Sequence, residues 1–290
     1  MAINNFIPTI WSARLLENLQ NTLVFGQAGV MNTDYEGEIS ACGDTVKINN
    51  IGAVSIGDYT KNGTITDAEE LTDATRNLVI NQAKYFNFKI DDIDKIQQNP
   101  KLMDAAMKEA AYGLANTADK HYASQYVEAA ANNLIGTDAA PIAVTKETAY
   151  DYLVDLSTKL DEANVPADGR WVIVPPFYEG LLLKDSRFVA AGTSTTDDRL
   201  ANGLVGRAAG FNILKSNNAP KVTVADGAAE ENFKVIAGHQ IAWSRAEQAK
   251  NAEAYRPENS FSDALKGLHL YGSKVVRPEA LAVLSVKRPS

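Results

Sequence analysis

Gly57-Asp58-Tyr59-Thr60-Lys61-Asn62-Gly63-Thr64 is the stretch on which the reading of this chain turns. Before it, Val46, Ile48, Ile51, Val54 and Ile56 suggest a strand. After it, residues 78–90 suggest another, with Tyr85, Asn87 and Lys89 alternating against Phe86, Phe88 and Ile90. Asn62-Gly63 is a strong hairpin signal, because both residues tolerate positive φ. The acidic residues Asp67, Glu69, Glu70 and Asp73 follow it. The pattern predicts a long two-stranded ribbon with too few apolar side chains in its middle for a core of its own. An isolated hairpin is marginal in water, so such a ribbon needs another surface to lie on. The competing reading is a flexible surface loop, but long structureless loops are uncommon inside compact domains.

Outward from the ribbon toward the C-terminus, Asn99 suits an N-cap and Pro100 the first helical position. Met103, Met107, Ala110, Leu114, Ala118 and Tyr122 recur at three- and four-residue steps and point on toward Tyr126 and Ala129. Gly136 closes the region. Roughly thirty residues at ~1.5 Å each predict a rod of about 50 Å. Asp104, Lys108, Glu109, Asp119 and Lys120 fall at positions read as exposed, so the helix is expected to lie on a sheet at the surface. Its drifting stripe lacks the sustained heptad of a coiled coil.

Thr145 opens a second helix through Tyr150, Leu153, Leu156 and Leu160, ending before Pro166. Residues 171–174 read as a buried strand stopped by Pro175-Pro176, and Pro176 can start a short helix over 177–183. Strands are expected at 211–215, 222–224, 233–237 and 241–244, giving a mixed α/β unit with its own core. Residues 268–276 and 281–286 read as two strands joined at Arg277-Pro278-Glu279. Both are expected to pair with 78–90 beneath the long helix.

Toward the N-terminus, Phe6, Ile7, Ile10 and Trp11 precede a short helical pattern in Leu15, Leu16 and Leu19 that ends near Gly26 and Gly29. This reads as an arm with one helix. Trp11 either covers the chain's own core or docks on a neighbour. No basic start leads into an apolar run, which argues against a signal peptide. No stretch reaches the ~18 apolar residues a membrane helix needs.

Composition narrows the function. With 45% hydrophobic and 22% charged residues in 290, the chain can bury a sizeable core. Its 28 basic residues against 36 acidic give a net charge of -8, and they form no basic stripe. Sequence-specific reading of nucleic acid is therefore disfavoured, while non-specific enclosure of it stays open. Cys42 is alone, so neither an intrachain disulfide nor a cysteine metal cluster forms, and a reducing, cytosolic site of folding fits.

His121, His239 and His269 are far apart in sequence and lack any zinc-binding spacing. Asp91, Asp92 and Asp94 are the best carboxylate cluster but lack the glycine and spaced oxygens of a calcium loop; an acidic start to a helical turn explains them. Asp197-Asp198 reads the same way. Gly203-Leu204-Val205-Gly206 with Gly210 lacks the Gly-Lys-Ser/Thr ending of a phosphate loop. The expectation is no enzyme, with no catalytic, cofactor-binding or metal residues.

The order of parts now resembles a family. An arm, a polar ribbon, a long surface helix, an inserted α/β unit and a C-terminal return are similar to the major capsid proteins of tailed bacteriophages, whose fold is called HK-ninety-seven-like. Gly169-Arg170-Trp171-Val172-Ile173-Val174-Pro175-Pro176, then Leu181-Leu182-Leu183-Lys184-Asp185-Ser186-Arg187-Phe188, resembles a stretch of the inserted domain in phage coat proteins. So does 203–215, where Gly206-Arg207-Ala208-Ala209-Gly210-Phe211 precedes a strand and then Ser216-Asn217-Asn218.

The resemblance implies an α+β fold with an N-terminal arm at 1–30 and an extended β-hairpin loop with its base at 31–78. A peripheral domain with a spine helix would span 79–133, an axial domain 134–266, and C-terminal strands at 267–290 would return to the peripheral domain. It implies hexamers and pentamers in an icosahedral shell enclosing double-stranded DNA, in the virion after assembly in the host bacterial cytoplasm. A separate scaffolding protein and a portal are the further partners implied, with no membrane. By the same analogy Trp11, Tyr59, Lys61, Asn62 and Gly63 contact a neighbouring subunit. Lys61 is available for an isopeptide cross-link, but no partner asparagine or catalytic glutamate can be assigned to it. The alternatives are a tail tube or decoration protein, which usually rests on a β-sandwich, and a hydrolase on the α/β half.

Overall fold

The computed structural model describes residues 24–34, 45–51, 61, 73–91, 101–185, 206–223, 231–259 and 261–289. The ribbon begins as β1, Thr45–Ile51, paired antiparallel with β2, Asp73–Val79, in a register running from Thr45 opposite Val79 to Ile51 opposite Asp73. Ile80 and Asn81 interrupt the chain before β3, Gln82–Asp91. The single strand expected over 78–90 is therefore two. Leu78 and Ile80 are buried against Ala246 and Leu270, so the chain lies on top of a sheet there and enters that sheet only from Gln82.

The long helix, α1, is Lys101–Ser124. It buries Met107, Ala111, Leu114, Ala115, Ala118 and Tyr122 at three- and four-residue steps, one stripe of a 3.6-residue period. Its 24 residues make a rod of ~36 Å, shorter than the sequence predicts. Ser124 Oγ donates to the His121 carbonyl at 2.7 Å, a side-chain bond that competes with propagation, and Gln125–Glu128 tighten into a 3₁₀ turn. Asp119 departs from its expected exposure. It is buried, and its carboxylate accepts from the N–H groups of Val24 and Phe25 and from Asn218 Nδ2 at 2.8–3.1 Å.

β4, Leu134–Ile135, and β5, Ile142–Ala143, lead to α2, Ala149–Glu162, which buries Leu153, Leu156 and Leu160 as its spacing predicts. The turn that follows is held by Arg170. This buried guanidinium donates to the Pro166 and Val165 carbonyls at 2.8 and 2.5 Å and to Asp161 at 2.7 Å. β6, Arg170–Val174, is buried throughout, and α3, Pro176–Leu183, starts at the expected proline. β7, Arg207–Ala208, pairs with β8, Phe211–Lys215. Then come β9, Lys221–Thr223, β10, Glu231–His239, β11, Trp243–Tyr255, β12, Ser262–Val275, and β13, Leu281–Lys287.

Two sheets organise these strands. The larger has eight strands in the order β4-β13-β10-β6-β8-β7, with β5 also on β13 and β9 on β10. The smaller is β11-β12-β3, all antiparallel. The expectation for the C-terminal strands holds for β12, which pairs with β3, and fails for β13, which lies between β4 and β10. The reason is burial. β13 is covered at every position from Leu281 to Val286, so it needs a sheet shielded on both faces.

Phe25, Val30 and Met31 join the main core, where the Phe25 ring meets Trp243 edge-on at 6.3 Å. Asn32 continues as a bridge beside Ser244. The last residues of the expected arm thus lie on the chain's own core.

Candidate assembly surfaces

The small sheet has two unlike faces, set by strand alternation. Phe86, Phe88 and Leu265 turn toward α1 and pack with Met107 and Ala111. On the opposite face, one end is covered by the base of the ribbon, where Ile48, Leu78 and Ile80 meet Ala246 and Leu270. The approach is tight. A Cβ on Gly272 would lie 2.4 Å from the Val79 carbonyl oxygen, so only glycine admits the ribbon base there.

The other end of that face is left bare by the described residues. Tyr85, 78% exposed, stands opposite Leu268, 39% exposed. Around them, Tyr255 OH bonds Asn87 Oδ1 at 3.2 Å, and Lys266 pairs with Glu253 at 3.0 Å while lying 5.3 Å over the Tyr255 ring. Between Tyr85, Leu268 and the Lys266–Glu253 pair lies a depression of about 370 Å³. Its floor is Gly267, roofed from the α1 side by Phe86, whose ring atom is 2.3 Å from where a Cβ would stand. Exposed aromatic and aliphatic groups rimmed by paired charges suit recognition of another surface, because burying them removes apolar area from water without stranding a charge.

Beneath the C-terminal half of α1 the sheet is polar. Arg245 Nη1 contacts Glu247 Oε1 at 2.5 Å, and His269 Nε2 stands 3.6 Å from Glu247 Oε2. The His269 ring is 5.0 Å from Tyr271, which meets His121 at 5.5 Å and Tyr122 at 5.7 Å. Burial works to raise the Glu247 carboxyl, yet His269 and Arg245 hold it below the usual carboxylate range. Asp119 is the reverse: burial pushes it up, and the amide donors around it only partly offset that. Burial raises the Tyr122 phenol far above its usual range.

Of the residues singled out by sequence, Lys61 lies exposed in a turn. Trp11, Tyr59, Asn62 and Gly63 lie outside the described residues, as do Cys42, Asn99, Pro100, Asp92, Asp94, Asp197, Asp198 and Gly203. His121 and His269, distant in sequence, face the same tyrosine, while His239 stands apart with its Nδ1 accepting from the Ile241 N–H at 3.2 Å. Gly206 and Gly210, at φ +67° and +81°, serve the β7–β8 hairpin, so the glycine-rich stretch leads into a strand and not into a phosphate-binding helix. Among the described residues no three His, Cys, Asp or Glu side chains group to hold a metal ion. No helix among them is long and apolar enough to cross a membrane. The bare patch at Tyr85 and Leu268 was missed by sequence reasoning, although a tyrosine on the polar register of β3 was its signal.

A long helix thus lies on one face of the small sheet and the ribbon base on the other, beside a larger mixed sheet. The profile of the phage capsid protein family matches residues 75–284, and the chain belongs to that family. A structure titled Mycobacterium phage Che8 matches with a TM-score of 0.71 at 30% identity, covering 98% of each chain. The capsid of cyanophage P-SCSP1u matches at 0.70 with 20% identity, over 87% of this chain and 85% of that one. A virus-like particle from Pyrococcus furiosus matches at 0.58 with 13% identity, over 97% and 100%. The last two likenesses speak for the fold alone. No curated protein matches the chain. The protein is thus a structural, self-associating subunit with an HK-ninety-seven-like α+β fold.

Proposed function

We propose that this chain is the major capsid protein of a tailed bacteriophage, assembling as hexamers and pentamers into an icosahedral shell around double-stranded DNA. One observation carries the reading. The ribbon base is fixed on the small sheet while the rest of that sheet face, at Tyr85 and Leu268, is left uncovered by the described chain. A second copy of the chain would cover the exposed pair, removing its apolar area from water. Each such contact is modest, and closed symmetry multiplies it into a stable particle.

On this reading the peripheral domain, expected over 79–133 with 267–290, also takes β11 and the start of β12 from the 134–266 of the axial domain and gives up β13 to it, with α1 its spine helix. Trp11, Tyr59, Lys61, Asn62 and Gly63 contact neighbours, a separate scaffolding protein and a portal are partners, and the shell forms in the bacterial cytoplasm before becoming the virion wall. The net charge of -8 supports enclosure of DNA without adhesion to it. Deleting residues 58–66 is expected to leave a folded subunit that no longer builds correctly sized shells. Normal spheres from that deletion in negative-stain images would refute the ribbon's role, and tubes from the intact chain would favour a tail tube protein.

A further inference from the structure

The two halves of α1 rest on different floors. Around Met107 and Ala111 the helix meets Phe86, Phe88, Ala254 and Leu265, all apolar. Further on, Leu114, Ala115, Ala118 and Tyr122 enter the main core, while His121 beside them meets titratable groups of the small sheet. That imidazole is half-buried, its ring edge-on to Tyr271 at 5.5 Å, and its buried Nε2 has no hydrogen-bond partner among the described residues.

The groups facing His121 offer a proton no welcome. From β3 comes the cation Lys84. From β12 come Tyr271 and, behind it, His269. From β11 come Arg245 and Glu247, but the Glu247 carboxylate is already engaged by Arg245 and His269. From α1 itself comes Tyr122, with its ring 6.2 Å away. In the turn that follows, Glu128 is taken up by Lys274 at 2.7 Å. The C-terminal end of the helix dipole favours an imidazolium here.

We propose that protonation of His121 weakens the seat of the C-terminal half of α1 on the small sheet, while Leu114, Ala118 and Tyr122 keep that half on the main core and the N-terminal half stays seated. An imidazolium in the seated helix would carry a buried N–H with no acceptor, beside Lys84. A loosened seat returns that charge to water. Burial first, and Lys84 second, hold the seated His121 below the ordinary histidine value of 6.5. The sign follows from linkage. A depressed value means the seated state binds protons less readily than the loosened one, so the seat is complete above 6.5 and weakens as pH falls below it.

Hydrogen–deuterium exchange on the full chain tests this, at pH 7.5 and 5.5 with rates normalised for intrinsic exchange. Acid is expected to cost residues 114–124 several-fold more protection than 106–113. In His121→Gln the difference between the halves should vanish. Equal losses in both halves of the unmodified protein, or a His121→Gln chain that keeps the unequal loss, would overturn the proposal. Should His121→Gln not fold, the imidazole resonances of the unmodified protein decide: a His121 titrating at or above the free-histidine value overturns it, and one titrating below it supports it.

Discussion

Among the described residues the larger sheet is covered almost throughout and the smaller one is not. β6 and β13 are buried at nearly every position, with Trp171, Leu284 and Val286 in a core that α2 and α3 help to close. The small sheet is covered on the α1 face but leaves Tyr85 and Leu268 bare on the other. Burial within the chain is a stability device. Apolar surface left bare beside a covered patch suits association with another surface. The same molecule separates the two, so mutations at the two sheets should have opposite signatures.

The largest expected effect is on the closed side. Trp171→Ala removes a side chain only 1% exposed, at 6.4 Å from Trp243, and should cost about 3–5 kcal/mol. Chemical denaturation measures it, and a loss well under 1 kcal/mol would mean the larger sheet is not the stability core. Gly272→Val comes next. Its new side chain meets the Val79 carbonyl, which is backbone and cannot swing aside, so the ribbon base must move at a cost of about 1–3 kcal/mol. Amide exchange should show the loss concentrated in β1 and β2. Uniform loss across both sheets would argue that ribbon and core are one cooperative unit.

The smallest effect on stability falls on the open side. Tyr85→Ser with Leu268→Ser touches groups exposed in the single chain, so the subunit's stability should change by no more than about 0.5 kcal/mol. Particle yield in sedimentation should nevertheless fall. A destabilised subunit, or unchanged particles, would break the contrast between the two sheets.

Sequence alone showed some of this and hid the rest for physical reasons. α1 was legible because one stripe of Met107, Leu114, Ala118 and Tyr122 runs along a whole helix. α2, β6 and α3 were legible because Pro166, Pro175 and Pro176 punctuate them. β11 was not. Trp243–Tyr255 contains four alanines with Glu, Gln and Lys, all good helix formers, and it becomes a 13-residue strand only because β12 offers it a partner along almost its full length. The burial of Asp119 was hidden too, since donors to it come from Val24, Phe25 and Asn218, far along the chain. The bare patch was half-visible: alternation put Tyr85 on the solvent side, but only the pairing with β12 set Leu268 opposite it.

The place of β13 has a consequence for how the molecule can be taken apart. A segment cut out as 134–266 contains β4, β6 and β10 but not the strand that joins the first to the third. It would carry an open β10 edge from Gly238 to Asn232, a row of unpaired amides and carbonyls ready to recruit any passing strand. The inserted unit is therefore no removable module. Adding 281–287 back as a separate peptide should quiet that edge, a reconstitution in which the missing piece acts as a plug.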